Sequence, residues 1–273
     1  MSLETINQRG LVLLGCGKMG TAMLEGWLVN GVKPASVTII DPYPSERLIE
    51  LQAGGLRVNV DLPPSPAICI LAVKPQMMGE ALPQIKALGN GTTVFLSIAA
   101  GTPISTFEGI LGAKTPIIRA MPNTPAAVGR GITALIGNAL IDDAAMGMAE
   151  DLLQAVGQAV QLDDEGQMDA VTAVSGSGPA YVFHLIETLA AAGVAEGLPV
   201  EMAMRLAKAT VGGAGELAER AAEDPSTLRV NVTSPGGTTS AALGVLMDED
   251  RGFPTLLREA VKAAADRSRE LRR

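Results

Sequence analysis

Glycines and small hydroxyl side chains, more than strong acids or bases, carry the chemistry open to this sequence. The stretch "GCGKMG" sets Gly15, Gly17 and Gly20 in GxGxxG spacing, between an apolar run and an apolar-periodic segment. In that context Gly15 permits a tight turn, Gly17 lets the backbone approach a pyrophosphate, and Gly20 lets a helix pack close to a strand. The N–H groups at the helix start then face the phosphates, so the spacing points to dinucleotide binding. Asp41 closes the next apolar run. Its carboxylate either accepts hydrogen bonds from an adenosine ribose and repels an added phosphate, or caps the strand end before "PYP". Arg47, six residues further on, is the nearest cation and falls on the next helix.

Later strand ends add candidates. In "LAVKPQ" (71–76), Val73, Lys74 and Pro75 fall where a parallel sheet presents ligands, at the carboxyl ends of its strands. Pro75 stiffens the turn, and Lys74 either reaches a cofactor oxygen or is simply solvated. "SIAAG" (97–101) ends a strand in small residues, Ala100 among them, leaving room for a flat ring. In "RAMPNTPAAVG" (119–129), Asn123 either contacts ligand or locks the turn through its own amide.

Two glycine-rich breaks follow in a region of Ala-rich helix. "AVSGSGPAYVF" (173–183) ends one helix and starts another, with Ser177 or Gly178 as the cap before Pro179. "VTSPGGTTSAAL" (232–243) repeats the idea, with Thr233 or Ser234 holding the entry. Its glycines let a ligand approach the backbone, the N–H groups after Gly236 face outward, and Thr238 and Thr239 add hydroxyls. Such a turn suits a carboxylate, or is only a tight helical corner. The single histidine, His184, sits in an apolar helix and reads as packed or on the helix face. Tyr181 is an alternative donor. One His with Cys16 and Cys69 makes no ordinary zinc site unless carboxylates complete it, so no metal is expected. Both cysteines read as buried reduced thiols.

The elements that must position these residues divide the chain. Apolar runs at 10–15, 36–41, 67–73, 93–99 and 116–121 predict strands, with helices at 19–30 and 45–53. Continuous apolar strands separated by helices indicate a parallel sheet covered on both faces. A second kind of strand follows at 131–137 and 157–162, around a helix at 142–156. Beyond the charged turn "DDEGQ" only helices are expected, at 167–175, 179–196, 200–222, 238–248 and 254–271, with Arg272 and Arg273 favouring the last helix dipole. Several are apolar on most faces and find few partners in so short a segment. They are expected to bury surface against a second subunit; a compact monomeric bundle is the alternative.

Hydrophobic residues are 47% of the 273, but aromatics only 3%, so the core must be built from Ala, Val, Leu, Ile and Met. The net charge of −8 argues against nucleic acid. No apolar run approaches the roughly 20 residues of a membrane span. "MSLETINQRG" has no basic start followed by an apolar stretch, so a cytoplasmic protein is expected.

Taken together, "GCGKMG" (15–20), "AVKP" (72–75), "IAAG" (98–101), "MPNTPA" (121–126), "SGSGPAY" (175–181) and "VTSPGGTT" (232–239) closely resemble the pyrroline-5-carboxylate reductase family. They run in family order over nearly the whole chain, and the last two are far more specific than a GxGxxG. The resemblance implies a Rossmann-type α/β N-terminal domain, residues 1–162, and an all-α dimerisation and substrate domain, residues 163–273. It implies an interlocked homodimer, with five dimers forming a decamer in some members. It assigns Gly15, Gly17, Lys18, Met19 and Gly20 to the pyrophosphate, Asn59 to the adenosine part, and Ala72, Val73, Lys74 and Pro75 to the nicotinamide side. Asp41, Ala100 and Asn123 are grouped with the cofactor residues. The substrate carboxylate is expected on the amides of Gly237, Thr238 and Thr239, with Gly236 and Ser177 nearby, beside a cofactor held by the other subunit. Many family members prefer NADPH and carry a neutral or basic residue where this chain has Asp41. NADP(H) and NAD(H) therefore both stand as cofactors, Asp41 leaning toward tolerance of NADH.

The reaction so implied is hydride transfer to the C=N carbon of 1-pyrroline-5-carboxylate, giving L-proline at the last step of proline biosynthesis. A protonated imine accepts hydride without a strong general acid, and Thr239 is expected to orient and hydrogen-bond the ring nitrogen. Solvent or the substrate itself supplies the proton. A β-hydroxyacid dehydrogenase shares the two-domain plan but calls for a base, commonly a lysine after the first glycine-rich break; "SGSGPAYVFHLIE" has none. A dinucleotide-sensing regulator would leave the carboxylate turn without a purpose.

Overall fold

The computed structural model describes residues 2–271, so Arg272 and Arg273, expected at the end of the last helix, lie outside the described residues. Its strands are β1 (Leu11–Leu14), β2 (Val37–Ile40), β3 (Arg57–Val58), β4 (Ile68–Leu71), β5 (Val94–Ser97), β6 (Ile117–Met121), β7 (Gly131–Gly137) and β8 (Gly157–Gln161). They form one eight-stranded sheet in the order β3-β2-β1-β4-β5-β6-β7-β8. Strands β1 to β6 pair in parallel, with Leu11 opposite both Val37 and Ile68. β7 then runs antiparallel to β6, and β8 parallel to β7. Connection length explains the switch. Residues 122–130 between β6 and β7 are too few for a parallel crossover, which needs about a dozen or more. The link from β7 to β8 contains a whole helix.

The helices of the sheet region are α1 (Ser2–Arg9), α2 (Lys18–Val29), α3 (Glu46–Ala53), α4 (Met78–Ala81), α5 (Ile104–Leu111), α6 (Asp143–Gln154) and α7 (Met168–Val171). Alternate strand residues point to opposite faces. Leu11 and Leu13 pack in one core with Ile6, Met23, Trp27, Leu48 and Leu152. Val12 and Leu14 pack in the other with Met78, Leu82, Ile85, Phe107 and Leu111. Trp27 is fully buried and its Nε1–H donates to Leu152 O at 2.8 Å, tying α2 to α6. Periodicity alone did not place α1, α4 or α5. The stretch around α4 continues into a 3-10 turn over Leu82–Leu88 and contains Pro83, so no long 3.6-residue pattern develops there.

The helical half carries α8 (Gly178–Ala195), α9 (Val200–Arg220), α10 (Pro225–Asn231), α11 (Thr238–Leu246) and α12 (Phe253–Glu270). α10, only seven residues long, is an addition to the expected helices. Spatially the described residues form two compact units, 2–176 with 265–271, and Ser177–Ala264. The end of α12 thus belongs with the sheet, where Ser268 Oγ donates to the buried Asp169 Oδ1 at 2.7 Å. The second unit has almost no core of its own. Its buried cluster is Ala190, Ala203 and Ala207, packed where α8 meets α9. Phe183, Leu189, Leu206, Val245, Leu246 and Phe253 stay exposed.

Candidate dinucleotide and carboxylate sites

The glycine loop lies at the carboxyl end of β1. Gly15 takes φ +83°, a left-handed conformation that a side chain would strain, and its N–H donates to Ile40 O at 2.8 Å. A Cβ there would come 2.6 Å from Val73 Cγ1 and 3.1 Å from Ala72 O, so the loop is pressed against the end of β4. At Gly17, by contrast, a Cβ would meet nothing within 4 Å. Gly17 is the N-cap of α2 without any side-chain cap, and the first bond of the helix runs from Thr21 N–H to Gly17 O. The N–H groups of Lys18, Met19 and Gly20 are thereby left at the helix start. Gly20 is the close-packing member: a Cβ would sit 3.0 Å from Gly15 O. The Lys18 side chain is exposed, whereas Met19 packs against the core and offers only its backbone. Open space over Gly17, a positive-φ turn and an uncapped helix start form a cradle that fits a pyrophosphate.

Asp41, just past β2, joins this loop directly. Its Oδ2 accepts from the Cys16 N–H at 2.6 Å and its Oδ1 from the Tyr43 N–H at 2.8 Å. Asn59 sits at φ +52° and pairs with Asp41 as a strand would: Oδ1 accepts from Asp41 N at 3.0 Å and Nδ2 donates to Asp41 O at 2.7 Å. The cap role of Asp41 is therefore real. A carboxylate has about four acceptor positions, so two bonds leave capacity for ribose hydroxyls. Burial pushes the Cys16 thiol up, a bond with Thr21 opposes this, and the charges of Asp41 and Glu25 push it further up. Burial alone pushes up the Cys69 thiol. Neither thiol is set up as a nucleophile.

At the end of β4, Ala72 N–H continues the ladder to Leu14 O at 2.8 Å, and Ala72 and Val73 line the turn beneath Gly15. Lys74 is exposed and opens the 3-10 turn Pro75–Met77. Ala100 is exposed after β5, beside Gly101 at φ +76°. The Asn123 side chain is spent on structure: Oδ1 accepts from Ile132 N at 3.0 Å and Nδ2 donates to Ser175 Oγ at 3.2 Å. Sequence reasoning passed over the partner of Arg119. This 3% exposed arginine pairs with Glu165 Oε1 at 2.7 Å, and the same oxygen accepts from Ile104 N at 3.0 Å. A lone arginine inside "PIIRAM" was the available signal, because a buried charge needs a partner.

The two glycine-rich breaks differ in kind. "SGSGPAY" is no open loop: α7 runs into a π-helical turn over Thr172–Gly176, and α8 starts at Gly178. Ser177 holds the N-cap position but makes no side-chain cap, because its backbone is already helical at φ −88°, ψ −24°. "SPGGTT" is a true turn. Gly236 takes φ +70°, and Gly237 is the N-cap of α11 with no side-chain cap. Neither Thr233 nor Ser234 caps α11, contrary to expectation: Thr233 Oγ1 donates to Arg229 O at 2.6 Å and so closes α10 instead. The Gly237 N–H is held by Ser234 O at 3.0 Å, which moves the free donors on to Thr238, Thr239 and Ser240. A cleft of about 490 Å³ adjoins this helix start, lined in part by Arg229, Thr233 and Ser240. Spacing alone does not single out Arg229 and Ser240, although Ser240 adjoins Thr239 and Arg229 lies one turn before Thr233. His184 is exposed on α8, its Nδ1 3.4 Å from Glu187 Oε2, and so lies on the helix face.

A glycine cradle at the switch between β1 and β4, an acidic residue ending β2 and a parallel sheet covered on both faces define a Rossmann-type dinucleotide-binding protein. Comparison with known proteins narrows the class. Residues 10–101 match the family described as NADP oxidoreductase, coenzyme F420-dependent, and residues 165–271 match pyrroline-5-carboxylate reductase dimerisation. The chain is 38% identical to a pyrroline-5-carboxylate reductase of Pseudomonas aeruginosa over 96% of both chains. A solved pyrroline-5-carboxylate reductase of Coxiella burnetii superposes with a TM-score of 0.89 at 31% identity, covering 97% of this chain and 99% of that one. That of Plasmodium falciparum, with NADP bound, gives 0.82 at 29%, covering 98% and 99%. The chain belongs to the pyrroline-5-carboxylate reductase family of oxidoreductases. Its helical half carries the family's dimerisation domain.

Proposed function

We propose that the protein reduces 1-pyrroline-5-carboxylate to L-proline with hydride from a nicotinamide dinucleotide, the last step of proline biosynthesis. The observation that carries this reading is the uncapped start of α11, where the N–H groups of Thr238, Thr239 and Ser240 precede the first helical bond, from Ala241 N–H to Gly237 O. Three aligned donors with the positive end of a helix dipole hold a carboxylate. With the carboxylate fixed there, the Thr239 hydroxyl addresses the ring nitrogen. Its task is orientation, since an imine already protonated needs no strong acid. The bound dinucleotide supplies the hydride. Gly15, Gly17, Lys18, Met19 and Gly20 hold the pyrophosphate, Asp41 and Asn59 the adenosine side, and Ala72, Val73, Lys74, Pro75, Ala100 and Asn123 shape the nicotinamide side. Gly236, Gly237 and Ser177 shape the substrate side.

In this reading residues 1–162 bind the dinucleotide and residues 163–273 bind substrate and a second copy of the chain, in the cytoplasm. NADH is accepted beside NADPH, because Asp41 places a carboxylate where a 2′-phosphate would lie. Further assembly would join five such dimers into a decamer. An absorbance assay with 1-pyrroline-5-carboxylate, run with NADH and NADPH in parallel, tests the reaction. Oxidation of at least one dinucleotide is expected; oxidation of neither refutes the reading. Solution mass decides between dimer and decamer.

A further inference from the structure

The turn after β2 leads into a charge cluster that the reaction does not use. Arg47, in the first turn of α3, donates from Nε to Glu25 Oε1 at 2.6 Å and from Nη2 to Glu25 Oε2 at 3.3 Å. Its Nη1 reaches Glu50 Oε2 at 3.2 Å. Two carboxylates thus share one guanidinium and raise its affinity for its proton. Glu25 lies on α2 eight residues beyond Gly17, about 12 Å along the helix at roughly 1.5 Å per residue. The clamp therefore fastens the guanidinium to the side of α2. In Rossmann-type sites the end of β2 faces the adenosine ribose, where either a carboxylate meets the 2′-hydroxyl or a nearby arginine meets a 2′-phosphate. This chain has both residues, but Asp41 stands at the strand end and Arg47 is occupied elsewhere. Arg57, on the neighbouring β3, donates its Nη2 to Asp61 O at 3.4 Å. The negative field extends to the loop itself, since Asp41 and Glu25 both act on the Cys16 thiol.

We propose that Glu25, assisted by Glu50, selects against a 2′-phosphorylated dinucleotide by holding Arg47 away from the adenosine ribose. Glu25 is a positioning residue in this account, acting through Arg47, and the inference rests on the dinucleotide reading above. A 2′-phosphate has to compete with two carboxylates for the guanidinium. Because the pair is half exposed, that competition costs little, and selection is graded, not absolute.

Calorimetric titration of the full chain with NAD⁺ and with NADP⁺ tests this without turnover. Glu25→Gln is expected to raise the affinity for NADP⁺ relative to NAD⁺ about two- to five-fold, the range of an exposed ion pair. Glu25→Gln/Glu50→Gln should raise it further. Adding Arg47→Gln to the double variant should return the ratio to near its starting value, and added salt should shrink the gain. Thermal melts check that each variant folds. An unchanged ratio in the double variant, with both dinucleotides still bound, overturns the proposal. So does a gain that survives loss of Arg47, because carboxylate repulsion alone then explains it. If the unaltered chain binds neither dinucleotide, the cofactor reading fails first and this inference with it.

Discussion

Asp41 Oδ2 accepts from the Cys16 N–H and Oδ1 from the Tyr43 N–H, so one carboxylate ties the glycine loop to the turn after β2. Asp41→Ser should therefore act twice. The relative use of NADPH rises as the charge is removed, measured as the ratio of kcat/KM with the two dinucleotides. Stability falls by about 1–3 kcal/mol, because serine is too short for both bonds and hydrogen bonds to a charged group are strong. A changed melting temperature with an unchanged ratio would reduce Asp41 to a turn residue. Thr239 makes the opposite kind of prediction. Its hydroxyl is assigned to the substrate, so Thr239→Val should leave the melting temperature nearly unchanged. A hydrogen bond to a charged ring nitrogen is worth about 1.5–3 kcal/mol, which lowers kcat/KM about ten- to hundred-fold. Wild-type kcat/KM at every pH would end its role.

The glycine loop separates folding from binding within six residues. Gly15 has a positive φ and no room for a Cβ, whereas Gly17 has an ordinary φ of −71° and open space. Gly15→Ala should cost about 1–3 kcal/mol in denaturant unfolding, the usual penalty of a strained backbone position. Gly17→Val should unfold at nearly the wild-type denaturant concentration and yet lose at least about ten-fold in dinucleotide affinity, since its side chain fills the space the phosphates need. Equal stability loss in both would mean that Gly15 and Gly17 do not divide folding from binding. The two glycine-rich breaks of the helical half show a similar split. Neither break has a side-chain cap, but only "SPGGTT" becomes an open turn, because Gly236 can turn the chain at φ +70°. At "SGSGPAY" the helix is carried through in a π turn.

At the scale of the whole molecule, Ser177–Ala264 buries little more than three alanines as its own core. Leu185, Leu189, Leu246 and Phe253 line an apolar cleft of about 680 Å³. Exposed apolar surface of this extent marks an interaction face, and it agrees with the family's dimerisation domain. Leu189→Glu should lower both the solution mass in sedimentation and the melting temperature, because this unit gains its core only on association. An unchanged mass would move the interface elsewhere.

Much of this was legible in the residues. Strands β1, β2, β4, β5 and β6 are apolar runs because both their faces are covered, and the glycine spacing carries its own geometry. The motifs from "GCGKMG" to "VTSPGGTT" were enough to place the chain in its family. The helices α4, α5 and α10 were not legible, being too short or too interrupted for periodicity to show. Nor was the reversal at β7, which depends on a connection too short for a crossover. The partners of polar side chains were hidden altogether: Asp41 with Cys16, Asn123 with Ser175, Arg119 with Glu165, Arg47 with Glu25. Sequence by itself determined the longer periodic elements and the chemistry available, because periodicity and spacing are local. Only the tertiary structure decided which donors stay free and which charges are already paired, because those bonds join residues far apart along the chain.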